Sequence, residues 1–590
     1  MHNRILNRWS TLEAAIAVPL LLIYARSLSS GFVTWDDDYL IVNNPLIRSL
    51  SLHSLWTVFT TYDPELYIPL TFLSYQLNFL IVGLHPFLYH LTNLFLHGGN
   101  AMLVAAVAYM LSRKNMWVAV AAGLLFAVHP LHTEAVVWAS ARKDVLASTF
   151  FLSSLLLYLH YGESGKKSTY VWSIVTFLLA LLSKVSVITL PLVLLVCDWR
   201  AGVILSPSKD DTRRSWFDEL TMIAPYFLFS IVFGVIALAG KTQQIAHSTM
   251  SESILIAGRS FVFYLEKLFL PLNLSPMYPF VGDVRITSPE FFLPILAIIA
   301  LIAIAFWSLR RTRDVMFALV FFALTIAPTM VNFRKGEEGD IYIASDRYAY
   351  LASFGLIFLV CLFLFRMRER FSAKIINVLA AVMVVVLGSL AFLQARIWKD
   401  SEALFTAVVA RYPQAQAAHH NLGVVYQKAG HLQDALNQYG EALAIAPKAS
   451  TEANIGDIFR EAGQPADAAD HYQKALAINS KNADAYLGLG LLALQDKKTD
   501  AAITAFQSAV EFAPQSPETH LNLGAALMSA KRVEEAITEY KKAIELDSSS
   551  AAASFNLAVA LERAGRMDEA RQWYRRAVEL DPSFALAVSL

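Results

Sequence analysis

Three adjacent carboxylates beside a tryptophan stand in Gly31-Phe32-Val33-Thr34-Trp35-Asp36-Asp37-Asp38-Tyr39, directly after the first strongly apolar run of the chain. Carboxylates leave water only when something offsets their desolvation, so this turn is expected at a membrane surface, facing a polar cavity. Asp36 and Asp37 are candidates for a base that takes the proton of an attacking hydroxyl. The plainer alternative is a solvated helix cap. Cations recur at other entrances to apolar segments: Lys184 between two short runs, Arg347-Tyr348 after the 332–339 loop, and Arg142-Lys143. A basic side chain beside tyrosines suits a lipid-borne phosphate, whose charge needs a partner while its chain stays in the bilayer. Taken singly, each cation could simply snorkel to the interface. Taken together, acids and cations describe sugar transfer from a lipid phosphate to a hydroxyl, with Arg347, Lys184 and, after them, Arg142 stabilising the leaving phosphate.

Other polar groups fall on the same expected face. His90 and Asn93, three apart at the polar start of an apolar helix, share one side of it. The corner His129-Pro130-Leu131-His132-Thr133-Glu134 offers two imidazoles and a carboxylate, but His-x-x-His-x-Glu has no fixed meaning as a metal spacing and lacks a third partner. Hydrogen bonding to a polar ligand, with Tyr348 nearby, is the expected use of these side chains. No metal ligands are assigned, although a divalent ion remains an option.

The elements that must hold these residues are mostly membrane helices. The 590 residues are 56% hydrophobic and 16% charged, with a mean hydropathy of +0.46, whereas a soluble chain carries about 25% charged residues. Zero formal net charge gives no reason to expect nucleic acid as a partner. Cys197 and Cys361 lie in apolar runs, which excludes a disulfide framework. The first apolar run has no small-residue cleavage pattern after it and is expected to be retained as a span. The spans expected are 12–28, 90–111, 115–135, 145–160, 170–183, 185–198, 220–239, 291–309, 314–331, 346–365 and 375–393. Several fall short of the roughly 20 residues that cross a bilayer. Segment 254–272 reads as re-entrant or interfacial, and Leu70 to Leu84, interrupted by Ser74, Gln76 and Asn78, as an interfacial amphipathic helix. Basic residues such as Arg113, Lys114, Arg200, Lys209, Arg213, Arg214, Arg310, Arg311, Arg313, Arg366 and Arg368 gather in the short loops that a cytoplasmic N-terminus would leave inside. The acidic turn, 129–144, 240–290, 332–347 and everything after 393 then face outward.

From about residue 415 the texture becomes alanine-rich and helical with a period near 34. Gly423, Gly456, Gly490, Gly524 and Ala558 form one series, Ala435, Ala468, Ala502, Ala536 and Ala570 a second, and Tyr439, Tyr472, Phe506, Tyr540 and Tyr574 a third. Small residues let paired helices approach, and the aromatic fills the gap. Five copies over 416–582 resemble tetratricopeptide repeats, which usually bind peptides in a concave groove. Segment 394–415 is a connecting helix or half-repeat, and 583–590 a tail. Asn421, Asn454, Asn522 and Asn556 recur at one position of the first helix, where their amides could bond an extended acceptor polypeptide; local packing is the alternative.

Phe32-Val33-Thr34-Trp35-Asp36-Asp37, Pro69-Leu70-Thr71, Tyr89-His90-Leu91-Thr92-Asn93-Leu94-Phe95-Leu96-His97, His129-Pro130-Leu131-His132-Thr133-Glu134 and Leu181-Leu182-Ser183-Lys184 give the chain a resemblance to the transmembrane and tetratricopeptide-repeat-containing proteins. These are polytopic glycosyltransferases of GT-C type, and their eukaryotic members are O-mannosyltransferases of the endoplasmic reticulum. The resemblance implies an all-α fold, a GT-C membrane domain over 1–393 followed by the repeat solenoid. It also implies an inverting transferase that uses a polyprenyl-phosphate sugar, with mannose foremost, and carries its catalytic centre at Asp36-Asp37. Related chains often place an arginine before Pro-Leu-Thr, where this one has Ile68. A lone Asn-Leu-Ser sequon at Asn273 and short loops favour a bacterial inner membrane with periplasmic repeats, the alternative being the endoplasmic reticulum. The rival functions are a non-catalytic scaffold for envelope or polysaccharide export and a lipid-linked oligosaccharide ligase or polymerase.

Overall fold

Seven helices among the described residues are long and apolar enough to cross a bilayer: Leu12–Ser29, Pro86–Leu111, Ala139–Ser164, Leu220–Gly240, Pro289–Ser308, Asp346–Arg370 and Ala373–Trp398. Met116–Val128 and Pro130–Val137, bent by 55°, make an eighth if counted as one span. Pro130, which has no amide proton, sits at the break. Pro69–Val82, Lys167–Ser183 and Asp314–Thr329 are shorter apolar helices. The computed structural model describes residues 2–62, 66–202, 216–240, 249–280, 282–330, 334–335 and 340–585. Lys209, Arg213, Arg214, most of the 332–339 loop and residues 586–590 of the expected tail lie outside them. The chain divides into two units, Met1–Gln414 and Ala415–Leu590.

Two expectations for the first unit need correction. The stretch 185–198 is not one helix: a 3-10 turn Val185–Val187 precedes a helix Leu190–Ala201 of 12 residues, leaving Lys184 at a break in the chain. Helix Pro69–Val82 is inverted relative to an interfacial helix. Its Gln76 and Asn78 are buried while Leu77, Leu80 and Ile81 are exposed, the arrangement that hydrocarbon outside and polar partners inside require. Helix Met250–Phe269 is not among the candidate spans and ties into the chain before residue 346 through Ser260, which donates to the Ile343 carbonyl, and Tyr264, which donates to Ser345 O at 3.1 Å.

Away from the acidic turn, Asp314 clasps three helices. It accepts from Arg200 Nε at 2.9 Å and from Arg366, while Arg200 also donates to the Leu111 carbonyl at 2.8 Å. Helices Asp314–Ile326 and Ala349–Arg370 cross closely at Gly355, where an added Cβ would meet the Ala318 carbonyl at 2.9 Å. A small antiparallel sheet that the sequence did not announce pairs Pro279–Phe280 and Arg334–Lys335 on either side of Asp340–Tyr342. The unit ends with the 3-10 turn Arg396–Trp398 and helix Ser401–Arg411, capped by Asp400, whose carboxylate accepts from Ala403 N at 2.8 Å.

The second unit is five antiparallel pairs, from Gln416–Lys428 with Leu432–Ile445 to Ala551–Arg563 with Met567–Leu580. A Cβ added to Gly423, Gly456, Gly490 or Gly524 would fall 2.5, 2.6, 2.4 or 2.6 Å from a ring atom of Tyr439, Tyr472, Phe506 or Tyr540. The aromatic of each second helix therefore lies against the bare backbone of its own first helix. Tyr472 also covers Gly488, where a side chain would collide with the ring, so the asparagine series is interrupted at that one repeat.

Candidate functional site

The acidic turn is held on three sides. Gly31 N donates to Lys399 O at 3.1 Å and Thr34 N to Ser401 Oγ at 2.7 Å, so the terminal helix of the unit fixes the turn. Trp35 stacks on Trp138 with centroids 4.9 Å apart, and Trp138 packs on Trp398 at 5.5 Å. The two aspartates then part company. Asp37 is fully buried and its carboxylate is filled by donors: Val33 N to Oδ2 at 2.9 Å, Ser140 N to Oδ1 at 2.9 Å, and the Ser140 hydroxyl. Burial pushes its carboxyl up to about 6, against the opposing pull of those three donors, and Asp36 adds to the rise. Asp36 keeps 34% of its side chain exposed and meets Lys143 Nζ at 3.3 Å.

Lys143 lies within electrostatic reach of Asp36, Lys184, Arg347 and Asp144. Lys184 pairs with Asp144 and stands 5.3 Å from the centre of the Tyr348 ring. Arg347 pairs with Glu134, which also accepts from Ser345 Oγ at 3.1 Å and from Arg347 N at 3.2 Å, and its guanidinium lies over Trp138 and Tyr348, 4.9 Å from each centroid. Asp144, Lys184, Arg347, Tyr348, Thr325 and Thr329 are among the residues lining a small cleft. Two buried atoms of these lining residues have no hydrogen-bond partner among the described residues: Arg347 Nε and Asp144 Oδ2. An unspent donor and an unspent acceptor beside two cations suit a ligand that brings both charges and hydroxyls.

Several expected lining residues are absent from this cleft, for reasons visible in their bonds. Arg142 is fully buried among neutral acceptors: Asn93 Oδ1 at 2.8 Å, the Tyr89 carbonyl at 2.6 Å, and Asn78. Its Nε, Nη1 and Nη2 are all engaged by these groups and it is not a wall of the cleft, contrary to the expectation that it meets a donor phosphate. Asn93 donates its amide to Trp138 O at 2.9 Å. His129 bridges the Leu268 carbonyl at 2.9 Å and the Leu131 amide at 3.2 Å. His132 bridges the Phe126 carbonyl at 2.7 Å and Ser353 Oγ at 2.8 Å. These imidazoles are core struts, not ligand contacts. His90 is buried, and neither ring nitrogen meets a partner at hydrogen-bond geometry. Among the described residues no group of three or more His, Cys, Asp or Glu is arranged to hold a metal ion.

Sequence reasoning missed Lys143 as the partner of Asp36, Asp144 as that of Lys184, and Ser140 as the clamp on Asp37. The signal was there in Ser140-Ala141-Arg142-Lys143-Asp144, where four polar residues in five open an apolar helix.

In the repeat unit, Asn454 Nδ2 donates to Tyr439 Oη at 3.2 Å and Asn522 Nδ2 to Glu518 O at 2.9 Å, so these two amides are partly committed to local packing. Asn421 and Asn556 are half-buried at the matching positions. Burial, then Asp484 and Asp457, raises the Glu518 carboxyl, which brings acids from three successive repeats within mutual reach.

Tetratricopeptide repeat families match residues 416–449, 454–517 and 520–583. The chain is 26% identical over 499 residues to human Protein O-mannosyl-transferase TMTC1, covering 74% of this chain and 55% of that one. It is 26% identical over 485 residues to mouse Protein O-mannosyl-transferase TMTC4, covering 71% and 64%, and 35% identical over 159 residues to human Protein O-mannosyl-transferase TMTC2, covering 26% and 19%. The longer of these matches thus span between about half and two-thirds of the relatives' length. Among solved structures, YrrB, described as a TPR protein with an unusual peptide-binding site, aligns at 22% identity over 31% of this chain and 97% of that one, with a TM-score of 0.26. MamA aligns at 24% identity over 29% and 95%, with a TM-score of 0.25.

Proposed function

For a repeat-bearing, multi-helical membrane chain homologous to the transmembrane and tetratricopeptide-repeat-containing family of GT-C-like O-mannosyltransferases, we propose transfer of a sugar, mannose foremost, from a polyprenyl phosphate to a hydroxyl on a polypeptide. The observation that carries this reading is the accessible carboxylate Asp36 on Lys143, which lies within electrostatic reach of Lys184 and Arg347, two cations that line a neighbouring pocket. Asp36 takes the acceptor hydroxyl proton as the oxygen bonds to the sugar C1. The bond from C1 to the phosphate oxygen breaks with its electron pair, and Lys184 and Arg347 hold the released polyprenyl phosphate. Attack from the face opposite the phosphate inverts C1. Ser148, Ser186, Thr325, Thr329, Tyr348 and Tyr350 are the hydroxyl-bearing residues of the same lining.

The repeats, as a protein-interaction fold, would present the acceptor polypeptide. The relatives are animal proteins, which supports the endoplasmic reticulum over the bacterial inner membrane as the compartment.

The test is transfer of label from polyprenyl-phosphate mannose and polyprenyl-phosphate glucose to Ser/Thr-rich peptides by the purified chain. Asp36→Asn should lower kcat by about 10²- to 10⁴-fold, the usual worth of a general base. Full transfer by both Asp36→Asn and Asp37→Asn would overturn the reading.

A second reading, a membrane scaffold without catalysis, is favoured by one observation. Asp37 is saturated by donors, and Lys184 and Arg347 each already have a carboxylate, a pattern that also serves a static core. It expects the aspartate variants to be silent and lesions in the repeats to abolish the cellular role.

A further inference from the structure

Arg142 is a fully buried cation with no carboxylate beside it among the described residues. Leaving a charge in low dielectric without a counter-charge is costly, so its neutral partners must be well placed. They are all parts of one device. Nε donates to Asn93 Oδ1 at 2.8 Å, and Asn93 passes the grip on by donating Nδ2 to Trp138 O at 2.9 Å. The guanidinium lies over the Tyr75 ring, 4.9 Å from its centroid, and Tyr75 Oη donates to Ala139 O at 3.1 Å. Two successive carbonyls, those of Trp138 and Ala139, are thus gripped from behind by side chains that Arg142 orients. The next residue, Ser140, turns both its amide and its hydroxyl to Asp37 Oδ1. Nothing in this chain of contacts reaches the cleft.

We infer that Arg142 is a positioning residue for the acidic pair: through Asn93 and Tyr75 it sets the Ala139–Ala141 turn, whose Ser140 holds Asp37 and with it the place of Asp36. This rests on the reading of Asp36-Asp37 as the site of transfer. It gives the cation a task distinct from phosphate binding, and it accounts for an arginine in place of a lysine. Three acceptors are met by three different nitrogens, Asn93 by Nε, Asn78 by Nη1 and the Tyr89 carbonyl by Nη2, a spread that a planar fork spans and the one nitrogen of an ammonium does not.

The experiment compares the purified full chain with Arg142→Lys, Ser140→Ala, their double variant, Asp36→Asn and Asp37→Asn, using polyprenyl-phosphate mannose and a Ser/Thr-rich peptide. The charged and titratable groups around the acid pair are Asp36 and Asp37 themselves, Lys143, Asp144, Lys184, Arg347, Tyr75 and Arg142. Asp36 and Asp37 titrate as a pair, and transfer needs both ionised, so the acid limb of the pH–rate profile reports both; loss of the Ser140 donors removes bonds that favour ionised Asp37, and the limb should move to higher pH in Ser140→Ala. Arg142→Lys keeps the charge but loses the fork. It should move the limb the same way and lower kcat about tenfold or more, with the KM for donor within twofold of wild type. The double variant should fall no further than the worse single one. A donor KM raised tenfold with an unmoved limb would make Arg142 a phosphate ligand and sink the proposal. So would an unmoved limb with loss of folded protein only. Should Arg142→Lys not fold, Ser140→Ala with Asn93→Ser carries the same comparison, and strictly additive effects there overturn it. If Asp36→Asn and Asp37→Asn retain full transfer, the reading of the acidic pair fails. If they are inactive while Arg142→Lys and Ser140→Ala match wild type, only the positioning role fails.

Discussion

Asp36 and Asp37 are neighbours in sequence with opposite surroundings, and the difference decides what each can do. Asp37, raised to about 6 by burial, binds its proton more tightly in the folded chain than at its ordinary value of 3.8. The stabilisation from that proton is complete below about pH 4 and is lost as pH rises through about 6, on the order of 3 kcal/mol if Asp37 alone is responsible. Thermal unfolding of the purified protein should therefore show a fall in Tm between those values that Asp37→Asn lacks. A Tm that rises across that window in wild type would contradict the assignment. That two acids followed the first apolar run was legible, and so was their charge problem. Their division of labour was not, because it depends on Ser140, 103 residues away, reaching one carboxylate and not the other. The histidines failed as expected site residues for a similar reason. Imidazoles five and two residues before a carboxylate look like chemistry until His129 is found on the Leu268 carbonyl and His132 on the Phe126 carbonyl.

At the level of elements, periodicity was the strongest guide where packing is local, and it faded where packing is not. The repeats declared their helix pairs because each glycine and the aromatic above it recur at fixed spacing, about 16 residues apart within a pair. Gly490→Ala should cost about 1–3 kcal/mol despite the better helix propensity of alanine, since its Cβ would sit 2.4 Å from Phe506 Cε1. Thermal melts followed by circular dichroism would check it, and an unchanged melt would mean that the ring shifts at no cost. In the membrane unit, helix Pro69–Val82 was misread because an amphipathic pattern gives a period but not which side is wet. Asp314 shows how the helices are tied where polarity is scarce. Asp314→Ala leaves Arg200, 14% exposed, without its anion, and a loss of about 3–5 kcal/mol is expected. Arg200→Met with Asp314→Ala should recover much of it, which a double-mutant cycle measures.

For the whole molecule, one exposed residue reports which side of the membrane the 240–290 segment faces. Asn273, in the Asn-Leu-Ser sequon, is exposed while Leu274 and Ser275 behind it are buried. Made in eukaryotic cells and delivered to the endoplasmic reticulum with this loop in the lumen, the chain should carry one endoglycosidase-sensitive glycan that Asn273→Gln removes. A chain never modified there would put this loop on the cytoplasmic side and contradict the outward placement of 240–290.

Thr34 and Ser401 are 367 positions apart and bond directly. The reactive corner near the start of the chain thus waits for a clamp supplied after the last membrane helix, and so for nearly all of that unit to leave the ribosome. A nascent or prematurely ended chain would carry its acids unlocked and inert. Completion of synthesis would itself be the switch that arms the molecule, guarding a membrane rich in activated lipid against half-built copies.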